Sequence, residues 1–227
     1  MPKISLGTCC GSDPKVGLEP WLEACGSDVC GIDTAWDYND QPAIGTILKA
    51  KKTPRNSVFI TTKVPPSAAL CDESKGAAAT LANIQLDVKQ LEVEYVDLLL
   101  LHGPCKSAAQ INAMWSGAEQ ALKAGIVKSI GVSNFNAAQL AEIKGTKPAA
   151  NQCYMTMGKH DQTTIEYCIK NGIAYEAYDA MKGCESLAWR VFFPWSVPYP
   201  CVVSAFRLPA AAAATISGVP SRHADGN

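Results

Sequence analysis

Short apolar runs alternate along the chain with segments whose apolar residues recur every three and four positions. The runs at residues 4–7, 31–35, 58–63, 96–102, 129–133, 149–153 and 173–180 have strand length, and residues 215–218 offer an eighth. Between them, Leu81, Ile84, Val88 and Leu91 form one helical stripe, and Ile111, Met114, Trp115, Ala118 and Leu122 form another. Gly125 and Gly172 fall just past helix-like stretches, where a left-handed C-cap favours glycine, and apolar residues leading into a strand follow each at once. This pattern predicts repeated βα units around a parallel sheet. An open doubly wound sheet and a closed barrel share that periodicity. Two features favour an α/β fold of the (β/α)8 TIM-barrel kind: no GxGxxG fingerprint follows the first strand, and polar residues gather at strand ends.

Residues 1–227 read as a single barrel domain, with residues 184–214 as an irregular segment and 215–227 as the eighth strand and a phosphate-binding loop. Residues 184–214 hold Pro194, Pro198, Pro200 and Pro209, an aromatic patch and an alanine run, breakers that a regular βαβ connection does not need.

Composition narrows the class. With 48% hydrophobic and 18% charged residues, the chain has the material for a large core. The net charge of -1, without a block of like charge, argues against a nucleic-acid partner, because that affinity rests on clustered Lys and Arg. Residues 49–52 read as a solvated helix end. No apolar run approaches the roughly 20 residues needed to cross a bilayer. The 10 cysteines include no CxxC pair, and the first residues lack the apolar stretch of a signal peptide. Free thiols in a cytoplasmic setting are therefore expected, with Cys9 and Cys10 near the mouth of the barrel. The histidines and cysteines show no zinc-ligand spacing, so no metal is expected.

Barrels keep their chemistry at strand carboxyl ends. The second run carries Asp33, the third ends in Lys63, the fourth ends in His102, and Tyr38 follows Asp33 by five residues. Asp33 and Lys63 at the ends of apolar strands would each cost several kcal/mol unless paired, so they are expected to pair with each other. A cation beside a phenol favours phenolate, which predicts a lowered Tyr38 pKa. Such a tyrosine can give a proton to a developing alkoxide, and a neutral His102 could aim the carbonyl oxygen. Ser133 and Asn134 admit a second reading, as an N-cap for the helix opening at Ala137.

GIDTAWDY, ITTK, DLLLLHGP, IGVSNF and NQ, in this order, resemble the aldo-keto reductases over about residues 4–183. The resemblance implies a catalytic set of Asp33, Tyr38, Lys63 and His102, with Tyr38 as proton donor. It implies that Ser133, Asn134 and Gln152 hold a nicotinamide amide and that Tyr178 stacks on its ring. Ser217 and Arg222 match a phosphate grip in which Ile216 replaces the usual lysine, so NADPH is expected ahead of NADH. Gly103 stands where many members have tryptophan, and Asp179 where they have serine. The last barrel helix and C-terminal loop are expected to be missing. The implied activity is NADPH-dependent reduction of an aldehyde or ketone by a monomer acting on small molecules. The alternative is a catalytically lapsed, nucleotide-binding regulatory barrel.

Overall fold

The architecture comes from a computed structural model, which describes residues 1–9, 13–156 and 159–180 and the backbone of 206–207. In chain order the main elements are β1 (Ser5–Gly7), α1 (Pro14–Cys25), β2 (Cys30–Asp33), α2 (Gln41–Ala50), β3 (Val58–Val64), α3 (Gly76–Gln90) and β4 (Leu98–Leu101). They continue as α4 (Ala108–Lys123), β5 (Ile130–Ser133), α5 (Ala137–Glu142), β6 (Ala150–Tyr154), α6 (Gln162–Asn171), β7 (Ala174–Tyr178) and β8 (Phe206–Arg207). The seven expected strands are all present, each end within two residues of its predicted place.

β1 to β7 run parallel in sequence order, with register partners that include Asp33↔Thr61, Lys63↔Leu100, Ser133↔Gln152 and Gln152↔Glu176. The sheet is strongly curled. Side chains of β2 and β6, four strands apart, meet within 2.6 Å (Asp33 and Gln152), where a flat sheet would hold those strands about 19 Å apart. This is the strand order and curvature of a (β/α) barrel. β8 pairs antiparallel with β7, Ala177 opposite Phe206 and Glu176 opposite Arg207. No strand was expected there; Phe206 and Arg207 lie in a proline-free stretch between Pro200 and Pro209, long enough for a two-residue ladder. The expected eighth strand at residues 215–218 falls outside the described residues.

The two faces of the sheet bury different things, because strand side chains alternate. Ile32, Ile60, Leu99, Leu101 and Val132 join the main core with Ile84 of α3, Met114 and Trp115 of α4 and Ile165 of α6. Leu98, Leu100 and Ala150 form a second, smaller cluster with Phe59 and Ala174, filling the concave side. Gly131 makes room for it: a Cβ there would stand 2.9 Å from the Leu100 side chain and 2.6 Å from the Ala150 carbonyl. The expected left-handed stops are present, with φ of 77° at Gly125 and 64° at Gly172. The helix end near residues 49–52 is exposed and ion-paired, Lys49 with Glu92 and Lys51 with Glu19 and Glu23.

The cysteine expectation needs correction. Disulfides join Cys25 to Cys30, between α1 and β2, and Cys71 to Cys105, between the loops that follow β3 and β4, with Cα separations of 5.6 and 5.7 Å. Cys9 is also disulfide-bonded. These pairs come from tertiary proximity and carry no short sequence motif. Cys153 and Cys168 are free and buried, and burial pushes their thiols up to about 12 and about 11. Among the described residues, no helix is long and apolar enough to cross a membrane.

Candidate active site

The concave face turns from apolar to polar toward the strand carboxyl ends. Asp33 closes β2, and Lys63 lies one residue from the end of β3 beside Leu100. His102 lies two residues beyond Leu100, on the same side of the chain by strand alternation, and its backbone N–H extends the ladder to the Val64 carbonyl at 2.9 Å. Tyr38 arrives by a single 3-10 turn, Trp36–Tyr38, which starts from extended Ala35 and stops at left-handed Asn39 (φ 60°).

Lys63 and Asp33 are fully buried and form an ion pair through Asp33 Oδ1. The ammonium also donates to the Thr34 carbonyl at 3.0 Å and to the Tyr38 hydroxyl oxygen at 3.3 Å. Three partners match its three N–H groups, which offsets the cost of burying the charge. Asp33 Oδ2 accepts from Gln152 Nε2 at 2.6 Å, and the same amide donates to buried Glu176 at 3.1 Å. The expected pairing of Asp33 with Lys63 is therefore present, with Gln152 and Glu176 extending it into a buried network.

Electrostatics correct one expectation. Burial raises the Tyr38 hydroxyl above its ordinary value; Lys63 pulls it down, Asp33 pushes it up, and the net direction is upward. The predicted lowering counted the cation and omitted desolvation and the second charge. For Lys63, burial acts to depress the ammonium, but Asp33 and then Tyr38 reverse this and hold it above the usual lysine value. Tyr38 thus keeps its proton at neutral pH, with a fixed positive charge 3.3 Å from its hydroxyl.

His102 is held from several sides. Asn134 Nδ2 donates to its carbonyl at 3.0 Å, its ring packs edge-on against Tyr38 with centroids 5.7 Å apart, and its Nδ1 lies 3.0 Å from Asp37 Oδ1. Ser133 and Asn134 adjoin this cluster. The Ser133 hydroxyl donates to the Gln152 carbonyl at 2.9 Å, and Asn134 Nδ2 reaches Ser133 Oγ at 3.2 Å. Tyr178 donates to Asn134 Oδ1 at 2.9 Å and meets Tyr154 edge-on at 5.8 Å. The N-cap reading of Ser133 and Asn134 is incorrect: Asn134 is left-handed (φ 62°), and the cap is Asn136, in a reciprocal box with Gln139. Ser217 and Arg222 lie outside the described residues. Among the described residues, no group of three or more His, Cys, Asp or Glu could hold a metal ion.

Comparison with known proteins gives the family and the fold. The Aldo/keto reductase family matches residues 25–186. The chain belongs to this family. Glyoxal reductase of Bacillus subtilis is 29% identical over 184 residues, covering 80% of this chain and 64% of the relative. The chain thus spans just under two thirds of that relative's length. An aldo-keto reductase structure from Brucella melitensis superposes with a TM-score of 0.73 at 27% identity, covering 84% of this chain and 73% of that one. A silkworm aldo-keto reductase crystallised with NADPH superposes at 0.68 with 28% identity, covering 79% and 59% respectively.

Within this family member, sequence reasoning missed two acidic residues of the site. Glu176 sits two positions before Tyr178 on β7, so alternation puts both on the concave side. Asp37 immediately precedes Tyr38, and the need of His102 for a partner at its second ring nitrogen was the signal that could have found it.

Proposed function

We propose that the chain catalyses NADPH-dependent reduction of a small aldehyde or ketone to the alcohol, with Tyr38 as proton donor. The observation that carries this is the buried Lys63 ammonium lying 3.3 Å from the Tyr38 hydroxyl at the carboxyl end of the sheet, with the His102 ring edge-on to the same phenol. A reduced nicotinamide, when bound, supplies the hydride to the carbonyl carbon. Tyr38 gives its proton to the carbonyl oxygen, Lys63 stabilises the resulting phenolate, and Asp33 keeps Lys63 charged and in place. His102 positions the oxygen.

The donor set fits a nicotinamide amide. Both Gln152 contacts to carboxylates use Nε2, which leaves Oε1 as an acceptor for an amide NH2 group, with Asn134 and Ser133 beside it. Tyr178 would supply the flat surface for the ring, while Ser217 and Arg222 would take the phosphates. NADPH is preferred to NADH because an arginine can clamp a 2′-phosphate bidentately. The named activity of the Bacillus relative, glyoxal reduction, supports a small, reactive carbonyl compound as substrate. In this reading the protein is a cytoplasmic monomer that acts on small molecules.

The test is NADPH consumption with glyoxal and with a broad-spectrum aldehyde, comparing the native chain with Tyr38→Phe. Turnover should fall on the order of 10²–10⁴-fold while NADPH affinity stays within about twofold, because only a transition-state interaction is lost. NADPH binding without consumption by the folded native chain would favour the lapsed regulatory alternative. Undiminished activity of the variant would remove Tyr38 as donor.

A further inference from the structure

Asp37 has no role in the scheme above, yet its carboxylate is the hydrogen-bond partner of the ring assigned to hold the substrate oxygen. It sits on the Trp36–Tyr38 turn, between the core residue Ala35 and the proposed proton donor. Its side chain is 47% exposed, against 19% for His102. The backbone of His102 is fixed on both sides, by the Val64 carbonyl and by Asn134, so the ring is free only to rotate about its side-chain bonds. The contact at 3.0 Å from Asp37 Oδ1 to Nδ1 arrests that rotation.

The contact also dictates which nitrogen carries a proton. A bare Nδ1 would put a lone pair against a carboxylate, so Nδ1 is the protonated atom. A neutral ring in that tautomer leaves Nε2 as an acceptor, unable to donate to a carbonyl oxygen. Only the doubly protonated ring can donate through Nε2. Among the described residues, the other charged or titratable groups on this side are Lys63 and Asp33, paired with each other, Tyr38, Tyr178 on Asn134, and Glu176 on Gln152; Asn134 is neutral. The Asp37 carboxyl is held below the usual range, chiefly by its bond to His102, so it is an anion at neutral pH.

We propose that Asp37 is a positioning residue that fixes the Nδ1–H form of His102, so that the ring can hold a carbonyl oxygen only as an imidazolium. The consequence for catalysis rests on the reductase reading; the effect on the ring does not. The experiment uses the full chain, uniformly labelled with ¹⁵N, with His102→Asn to assign the ring signals among the three histidines. Ring-nitrogen correlation spectra are recorded from pH 6 to 9 for the native protein, Asp37→Ala and Asp37→Asn, together with kcat and KM for glyoxal over the same range. In the native protein the neutral ring should keep its proton on Nδ1, facing Asp37.

Asp37→Ala should move the neutral ring to the Nε2–H form, which can donate to a carbonyl oxygen, and make kcat depend less on pH, with KM for NADPH unchanged. Asp37→Asn, whose amide can either accept from Nδ1–H or donate to a bare Nδ1, should leave the neutral ring as a mixture of the two forms. A purely structural role for Asp37 would not move a proton between ring nitrogens. Unchanged nitrogen signals in Asp37→Ala would overturn the proposal, whatever the activity. If the expected signal changes occur in a native protein that never oxidises NADPH, Asp37 keeps its hold on the ring and the reductase reading is the one that fails.

Discussion

Asp33 and Asp87 are equally buried, at 2% and 0% exposure, and the protein treats them oppositely. Asp33, on the concave face, has the Lys63 ammonium on one oxygen and the Gln152 amide on the other. Asp87, on α3, has one amide: Gln41 Nε2 donates to Oδ1 at 2.7 Å, and Oδ2 has no hydrogen-bond partner among the described residues. Burial pushes the Asp87 carboxyl up to about 7, only partly opposed by Gln41. The two sites share a strand. Thr62 of β3 donates to Gln41 on one side, and its neighbour Lys63 serves Asp33 on the other. A buried acid without a cation becomes a group that tends to hold its proton. A buried acid touching an ammonium becomes an anchor for a charged side chain, and the cation is what separates a helix-packing residue from a candidate catalytic one.

The sharpest way to break this contrast is Lys63→Met, which turns Asp33 into a second Asp87. The substitution should cost about 3–5 kcal/mol in urea unfolding, because it leaves a buried carboxylate without its cation. A loss under about 1 kcal/mol would mean that Gln152 alone suffices for Asp33.

Next in size is Asp87→Asn. With the folded value raised to about 7 from 3.8, the folded state holds a proton that the unfolded chain has released between those values. Asp87 should therefore lower stability progressively as pH rises from about 4 to 7, by roughly 3–4 kcal/mol, with no further change above. Asp87→Asn should match the native protein near pH 4 and exceed it at pH 8, which unfolding curves at the two pH values would check. Equal differences at both would show that Asp87 does not titrate in this window.

The smallest effect belongs to Gln41→Leu, which removes the one donor to Asp87 together with the bond from Thr62. A destabilisation of about 1–3 kcal/mol is expected, larger at pH 8 than at pH 4 because the ionised carboxyl depends more on that donor. Thermal unfolding at both values would test the pH dependence.

Much of the site was legible in the sequence because strand ends announce themselves. Asp33, Lys63 and His102 each close an apolar run, and Tyr38 lies within the short connection after the first of them. What could not be read were contacts between distant stretches of chain. Gln152 reaches Asp33 across 119 positions, and nothing local to either residue signals it. The Cys71–Cys105 bond likewise joins two loops brought together only by adjacent strands. The direction of the Tyr38 shift failed for a related reason: a neighbouring cation can be guessed from sequence, but the depth of burial that outweighs it cannot.

The sequence by itself determined the order of elements, the parallel sheet and the residues at its carboxyl rim, since alternation and helical spacing are local properties of the chain. Tertiary structure alone decided which of those polar groups touch, which nitrogen of His102 faces a carboxylate and which buried acid has a cation. Those outcomes depend on the curl of the sheet and on desolvation, and both are set by the whole packed molecule.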